Sequence, residues 1–246
     1  MTDLAETTVE ELTAVILAGG LGTRLRSVVG DLPKALAPVA GRPFLTYQLN
    51  WLKRQGVRRI ILCTGYQHER IKAQFGDGKE LGLDIRHSVE EHALGTAGAL
   101  RGARAQLGET FVVLNGDTYL DADLADMLTH HCAERAAATL ALKQAQSTGR
   151  FGTVRLDKKG YITRFAEKRC SGAGLVNAGA YICDACVFTY FPNQQPLSLE
   201  LDVFPELARR RILRGYLISG YVCDIGTPES YSQFQRDVEQ LRVAKE

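Results

Sequence analysis

Apolar residues in this chain fall into short runs separated by stretches with helical spacing. The run from Thr13 to Leu17 ends in Ala18-Gly19-Gly20-Leu21-Gly22, the pattern of a buried strand entering a glycine-rich turn. Pro43 stands at a helix start, Phe44, Leu45, Leu49 and Leu52 follow on one helical face, and Gly56 stops it. Arg59-Ile60-Ile61-Leu62-Cys63 predicts the next strand. The alternation continues with a helix over 68–75, a strand over 83–89, a helix over 96–107 and the strongly apolar strand Phe111-Val112-Val113-Leu114. Strands alternating with helices predict a mostly parallel sheet covered on both faces.

The pattern changes after a helix near 124–133 and a strand near 138–143. GTVRLDKKGYITRF reads as a hairpin turning at Lys158-Lys159-Gly160. Strands over 176–182 and 215–222 and helices over 201–210 and 228–243 give this half an α+β character. With no repeat or linker in the chain, the expectation is a flexible polar leader over 1–12 and one domain over 13–246, built from halves 13–135 and 136–246.

Composition narrows the class. A chain of 246 residues, 45% hydrophobic and 24% charged, has enough apolar surface for a full core, which excludes disorder along its length. Its 30 Lys+Arg against 28 Asp+Glu leave a net charge of +2, so bulk charge calls for neither nucleic acid nor an anionic membrane. A phosphate ligand must therefore be held locally. No apolar run reaches the roughly 18 residues of a membrane helix, and the acidic start MTDLAETTVEEL is unlike a secretory signal, which together predict a cytoplasmic protein. The six cysteines are scattered, and Cys183-Asp-Ala-Cys186 lacks the second pair a zinc site needs, so they read as ordinary thiols.

In parallel sheets, ligands lie beyond the carboxyl ends of the strands. At the first such end, Leu17-Ala18-Gly19-Gly20-Leu21-Gly22-Thr23-Arg24-Leu25 offers backbone N–H groups free of Cβ obstruction and a forked cation suited to phosphate. It lacks the Lys-Ser/Thr ending of a P-loop and the glycine spacing of a dinucleotide fingerprint, which argues against a nicotinamide-dependent oxidoreductase. Asp31-Leu32-Pro33-Lys34 places a lysine shortly after this loop. Leu114-Asn115-Gly116-Asp117 and Cys223-Asp224-Ile225-Gly226 are acidic strand ends that suit Mg²⁺ held together with substrate phosphates; each aspartate would otherwise cap the following turn or helix. Glu90 and Glu91 stand at a strand end just before Gly95-Thr96. Glu90 is the candidate guanine reader, since a carboxylate there matches the two adjacent donors of guanine, N1–H and the exocyclic amine; the alternative is a solvated acidic turn.

With these segments in order, the chain resembles the nucleotidyltransferases that join a sugar 1-phosphate to a nucleoside triphosphate. LAGGLGTRL, DLPK, GTAGAL, LNGD, FAEK, NAGAY and DIGTPE carry the resemblance from Ala14 to about Phe234. Within that family, SVVGDLPKALAPVAGRPFL, LNGDTYLDADL, Gly149-Arg150-Phe151-Gly152 and the segment from Leu199 to Pro205 look most like the D-glycero-D-manno-heptose 1-phosphate guanylyltransferases, which make a GDP-heptose for bacterial surface polysaccharide.

The resemblance implies a Rossmann-like, GT-A-like three-layer α/β fold with a mixed, mostly parallel sheet, a nucleotide-binding half over 13–135 and a sugar-phosphate half over 136–246. It implies that Leu17, Ala18, Gly19, Gly20, Gly22, Thr23, Arg24, Asn115, Gly116 and Asp117 contact the nucleotide, with Gly95 and Thr96 near base and ribose. Arg24, Lys34 and Lys168 would be the catalytic cations. Glu167, Lys168, Asn177 and Gly179 would face the sugar phosphate, and Asp117 and Asp224 would hold Mg²⁺. Uridylyl-, thymidylyl- and mannose-1-phosphate guanylyltransferases remain alternatives, as does a non-catalytic sensor on the same fold.

Overall fold

The computed structural model describes residues 7–20, 22–146, 153–166 and 172–240. Its strands are β1 Thr13–Leu17, β2 Pro38–Val39, β3 Arg42–Pro43, β4 Arg59–Thr64, β5 Asp84–Val89, β6 Thr110–Asn115, β7 Thr118–Leu120, β8 Ala138–Ala145, β9 Thr153–Leu156, β10 Ile162–Ala166, β11 Gly174–Asp184, β12 Leu213–Leu217 and β13 Val222–Asp224. Its α-helices are α1 Arg26–Val29, α2 Phe44–Arg54, α3 His68–Phe75, α4 Thr96–Ala103, α5 Leu124–Glu134, α6 Phe204–Arg209 and α7 Pro228–Glu239.

The main sheet runs β10-β9-β11-β6-β1-β4-β5, with β8 joined to β11 and β12 to β8. Pairing is parallel for β6-β1-β4-β5 and for β8-β12, and antiparallel where β11 meets β6, β8 and β9. Side chains alternate along a strand, so each strand feeds both faces. Ala14, Ile16, Ile60, Leu62, Val112 and Leu114 join a core with residues of α2, α3, α5 and α7. Val15, Ile61, Cys63, Phe111 and Val113 face the other way, toward α4 and α6. The result is a three-layer α/β sandwich: the covering on both faces is what the alternation predicts, and the mixed sheet is what the resemblance implies.

β1 is flanked by β4 on one side and β6 on the other, so chain order reverses there and leaves a crevice beyond the strand ends. A separate antiparallel ribbon pairs β7, which follows closely on β6, with β13 and sets Thr118 opposite Asp224.

Three local expectations change. Within the segment expected to be a flexible leader, Val9–Glu11 form a 3₁₀ turn, and Val9 and Leu12 are buried, because their spacing puts both on the inner face of that turn. The strand expected over 215–222 divides into β12 and β13, since Gly220 packs against the Asp121 backbone and turns the chain out of the main sheet. The helix expected over 201–210 is a π-helical turn, Leu199–Val203, followed by α6. Beyond Asp117 the chain enters β7 with Tyr119 and Leu120 buried; Asp121 and Asp123 after it are exposed, and Asp123 caps α5.

Candidate active site

β1 and β6 end in register, Leu17 beside Asn115. The backbone after β6 then folds against the glycine loop, with Gly116 N donating to Leu17 O at 3.0 Å. A Cβ at Gly116 would lie 2.5 Å from Leu17 O and 2.8 Å from Ala18 Cα, so only glycine permits this approach. Gln48, buried on α2, donates from Nε2 to Asn115 O at 2.9 Å and to Thr118 O at 2.7 Å, clamping both sides of the turn that carries Asp117.

A cavity of about 320 Å³ opens beyond these strand ends. Leu17, Ala18, Gly19, Gly20, Lys34, Glu90, Gly95, Thr96, Asn115, Gly116 and Asp117 line it, with Ala35, Ala93 and Ala99 as apolar wall. Nearly the whole expected nucleotide set is thus brought together. Gly22 lies behind Lys34, in contact with its side chain, and Thr23 is exposed in the following turn.

Glu90 sits against the loop: a Cβ on Gly19 would lie 2.5 Å from Glu90 Oε1. Its Oε2 accepts from Leu94 N at 3.2 Å. Burial raises the Glu90 carboxyl above its ordinary range, an effect the Leu94 N–H partly offsets. Glu91 is exposed, so of the two neighbouring carboxylates it is Glu90 that packs at the loop. Gly95 adopts φ +78° and packs on the Leu197 backbone, where α4 begins.

A second, larger cavity of about 1500 Å³ shares Asn115 and Asp117 with the first and adds Arg24, Thr118, Asn177, Gly179, Glu200 and Asp224. Lys34 Nζ is 2.8 Å from Asp117 Oδ2, and Thr118 Oγ1 donates to Asp117 Oδ1 at 3.2 Å. Ile225 N donates to Asp117 O at 2.8 Å, which ties the two acidic strand ends together through the β7–β13 ribbon. Asp224 Oδ1 accepts from Gly226 N at 2.9 Å, so Asp224 stabilises its own turn as the capping alternative anticipates, while Thr227 caps α7. Arg24 Nη2 lies 3.5 Å from where a Gly226 Cβ would stand, placing the guanidinium beside that turn.

Asp117, just before β7, and Asp224, at the end of β13, carry the hard oxygen donors that Mg²⁺ takes when phosphates and waters fill its other positions. The donor chemistry therefore fits the cation. Asn115 Oδ1 is buried and accepts no hydrogen bond among the described residues, at the wall common to both cavities.

Asn177 Oδ1 accepts from Gly179 N at 2.9 Å, and Asn177 Nδ2 donates to Tyr181 Oη at 2.9 Å. Glu167 and Lys168 lie outside the described residues, as does the segment 149–152. The sequence reading missed Gln48 and Glu200. Gln48 is legible in retrospect, as a polar residue four after Phe44 and three after Leu45 on the buried helical face; Glu200 carries no such local signal.

A fold with this strand order and this crevice is shared by a family of nucleotide-using enzymes. The Nucleotidyl transferase family matches over residues 13–241, and the chain belongs to it. It is 38% identical over 229 residues to a D-glycero-alpha-D-manno-heptose 1-phosphate guanylyltransferase of Aneurinibacillus thermoaerophilus, across 93% of this chain and 99% of that one. A mannose-1-phosphate guanylyltransferase of Mycobacterium tuberculosis is 37% identical over 232 residues, across 93% of this chain and 65% of that one. The crystal structure of HddC from Yersinia pseudotuberculosis complexed with GMP-PN superposes with a TM-score of 0.82 at 31% identity, over 92% of this chain and 99% of that one. No helix among the described residues is long and apolar enough to cross a membrane.

Proposed function

We propose that this protein transfers GMP from GTP to D-glycero-D-manno-heptose 1-phosphate, releasing pyrophosphate and a GDP-heptose for surface polysaccharide synthesis in the cytoplasm. The observation that carries this reading is the near full-length similarity to a heptose 1-phosphate guanylyltransferase. The position of Glu90 supports it, a carboxylate fixed against the glycine loop in the smaller cavity, where it matches the two adjacent donors of guanine.

A phosphate oxygen of the sugar phosphate attacks the α-phosphorus in line; the new P–O bond forms as the bond to the β-phosphate oxygen breaks, and the electron pair leaves with pyrophosphate. The attacking oxygen is already anionic, so no side chain has to remove a proton. The obstacle is bringing two polyanions together. At ~4 Å two unit charges interact by about 4 kcal/mol at an effective dielectric near 20, so each cation at the junction matters. In this reading the loop from Leu17 to Arg24 holds the triphosphate, Lys34 and Arg24 neutralise charge at the reacting phosphates, and Lys168 does so from the acceptor side. Asn177 and Gly179 shape the acceptor site with Glu167. Asp117 and Asp224 would hold Mg²⁺, which supplies charge neutralisation at the phosphates when bound.

The similarity to a mannose-1-phosphate guanylyltransferase supports a second reading with the same nucleotide and another acceptor. Phosphorus NMR of the reaction mixture tests the proposal: with GTP and the heptose 1-phosphate, the α-phosphate signal should convert to that of an asymmetric diphosphate diester while free pyrophosphate appears. Guanosine diphosphate and inorganic phosphate as the only products would contradict it.

A further inference from the structure

Glu200 stands in the π-helical turn Leu199–Val203, and such turns concentrate at functional sites. Its Oε2 accepts from Thr96 Oγ1 at 3.0 Å and from Ser198 Oγ at 3.0 Å. Thr96 Oγ1 in turn accepts from Leu199 N at 2.8 Å, so the first residue of α4 and the π turn hold the carboxylate between them. Among the described residues, Glu200 Oε1 accepts one long hydrogen bond, from Tyr181 Oη at 3.3 Å.

Tyr181 is itself fixed. It is fully buried, its ring packs edge-on against Phe204 at 5.0 Å, and its hydroxyl accepts from Asn177 Nδ2. Burial, then the neighbouring Glu200 charge, holds the phenol well above its ordinary range, so it remains a donor.

A carboxylate offers about four lone-pair directions. Oε2 uses two, and Oε1 spends one on a long bond, which leaves acceptor capacity on a side chain that lines the larger cavity with Asn177 and Gly179. A bare carboxylate repels the phosphate end of an acceptor but welcomes hydroxyl donors. Its orientation is set by three neighbouring hydroxyls, and a fixed acceptor distinguishes one hydroxyl configuration from another more sharply than an apolar wall can.

We propose that Glu200 is a specificity residue for the acceptor: its Oε1 accepts a hydrogen bond from a ring or side-chain hydroxyl of the sugar, while Thr96, Ser198 and Tyr181 fix its direction. The assignment rests on the nucleotidyl-transfer reading of the same site. It implies that the sugar lies with its hydroxyls toward the π turn and its phosphate toward Arg24 and Lys34.

The test compares wild type with Glu200→Gln and Glu200→Asp, using whichever nucleoside triphosphate and sugar 1-phosphate the wild type turns over in a crossed panel. The acceptor KM should rise roughly ten- to hundredfold, the worth of one hydrogen bond to a charged group, while the nucleotide KM moves less than about twofold and the melting temperature holds. A monodeoxy acceptor lacking the contacted hydroxyl should then be used equally well by wild type and Glu200→Gln. An unchanged acceptor KM overturns the proposal, as does a joint rise of both KM values with a lowered melting temperature, which would make Glu200 a structural joint only. Wild-type turnover with a nucleotide other than GTP contradicts the guanylyl reading and leaves the Glu200 comparison to run with that nucleotide; silence with every pair contradicts both.

Discussion

Lys34 and Asp117, 83 residues apart in sequence, form an ion pair of 2.8 Å at the boundary between the two cavities. The lysine comes from the turn after the glycine loop and the aspartate from the link between β6 and β7, so one contact joins the two segments that would meet the phosphates. Lys34→Met removes the cation and leaves Asp117 uncompensated. Turnover should fall at least about a hundredfold, the usual cost of deleting one preorganised electrostatic partner. Steady-state kinetics beside a thermal melt checks this, and a variant with wild-type turnover would remove Lys34 from the reaction.

Asp117→Asn and Asp224→Asn keep shape and remove charge. Each should fold normally and lose about a hundredfold or more in turnover, with the Mg²⁺ concentration for half-maximal rate displaced upward. Titration of rate against Mg²⁺ measures both effects. Wild-type rates at saturating Mg²⁺ in both variants would exclude these aspartates as the ligands.

Glu90 is both a guanine reader in this account and a burden on stability. Burial raises its folded-state pKa above the unfolded value, so the protonated carboxyl is favoured by folding. Stability from this group is therefore fully present below the unfolded pKa and is lost as pH rises through the raised folded pKa. Glu90→Gln should accordingly melt higher than wild type at neutral pH, with the difference vanishing in acid. Its ratio of GTP to UTP turnover should drop about tenfold or more, since an amide cannot accept from both guanine donors. In the wild type, the GTP KM should begin to rise on acidification at a pH above the ordinary glutamate range. A variant with an unchanged base ratio would show that Glu90 does not read the base.

Gln48 tests the support of the site. Gln48→Leu leaves the Asn115 and Thr118 carbonyls without their buried donor, which should cost about 2–4 kcal/mol of stability and reduce turnover. Chemical denaturation should show a lowered midpoint with an unchanged slope. Undiminished stability would mean that water replaces the amide.

The parallel half was legible because β1, β4 and β6 are apolar runs ending in turns, and the glycine loop and Gly116-Asp117 sit directly after two of them. Glu90 could be named from its place at a strand end before Gly95-Thr96, but its burial against Gly19 is a tertiary fact. β7 and β13 were hidden because three-residue strands lack enough alternation to register, although they carry the pairing that sets Thr118 opposite Asp224. Gln48 lay within a recognised amphipathic helix, where attention to its apolar face alone conceals the one polar residue that face buries. Glu200 depends on contacts with Thr96, 104 residues earlier, which no local pattern encodes.

Pyrophosphate release with Mg²⁺, crossing the four nucleoside triphosphates with heptose, mannose and glucose 1-phosphates, tests the central claim most directly. Release confined to GTP with D-glycero-D-manno-heptose 1-phosphate is the predicted result. Preference for UTP or dTTP with a hexose phosphate, or nucleotide binding without release in any combination, would contradict it.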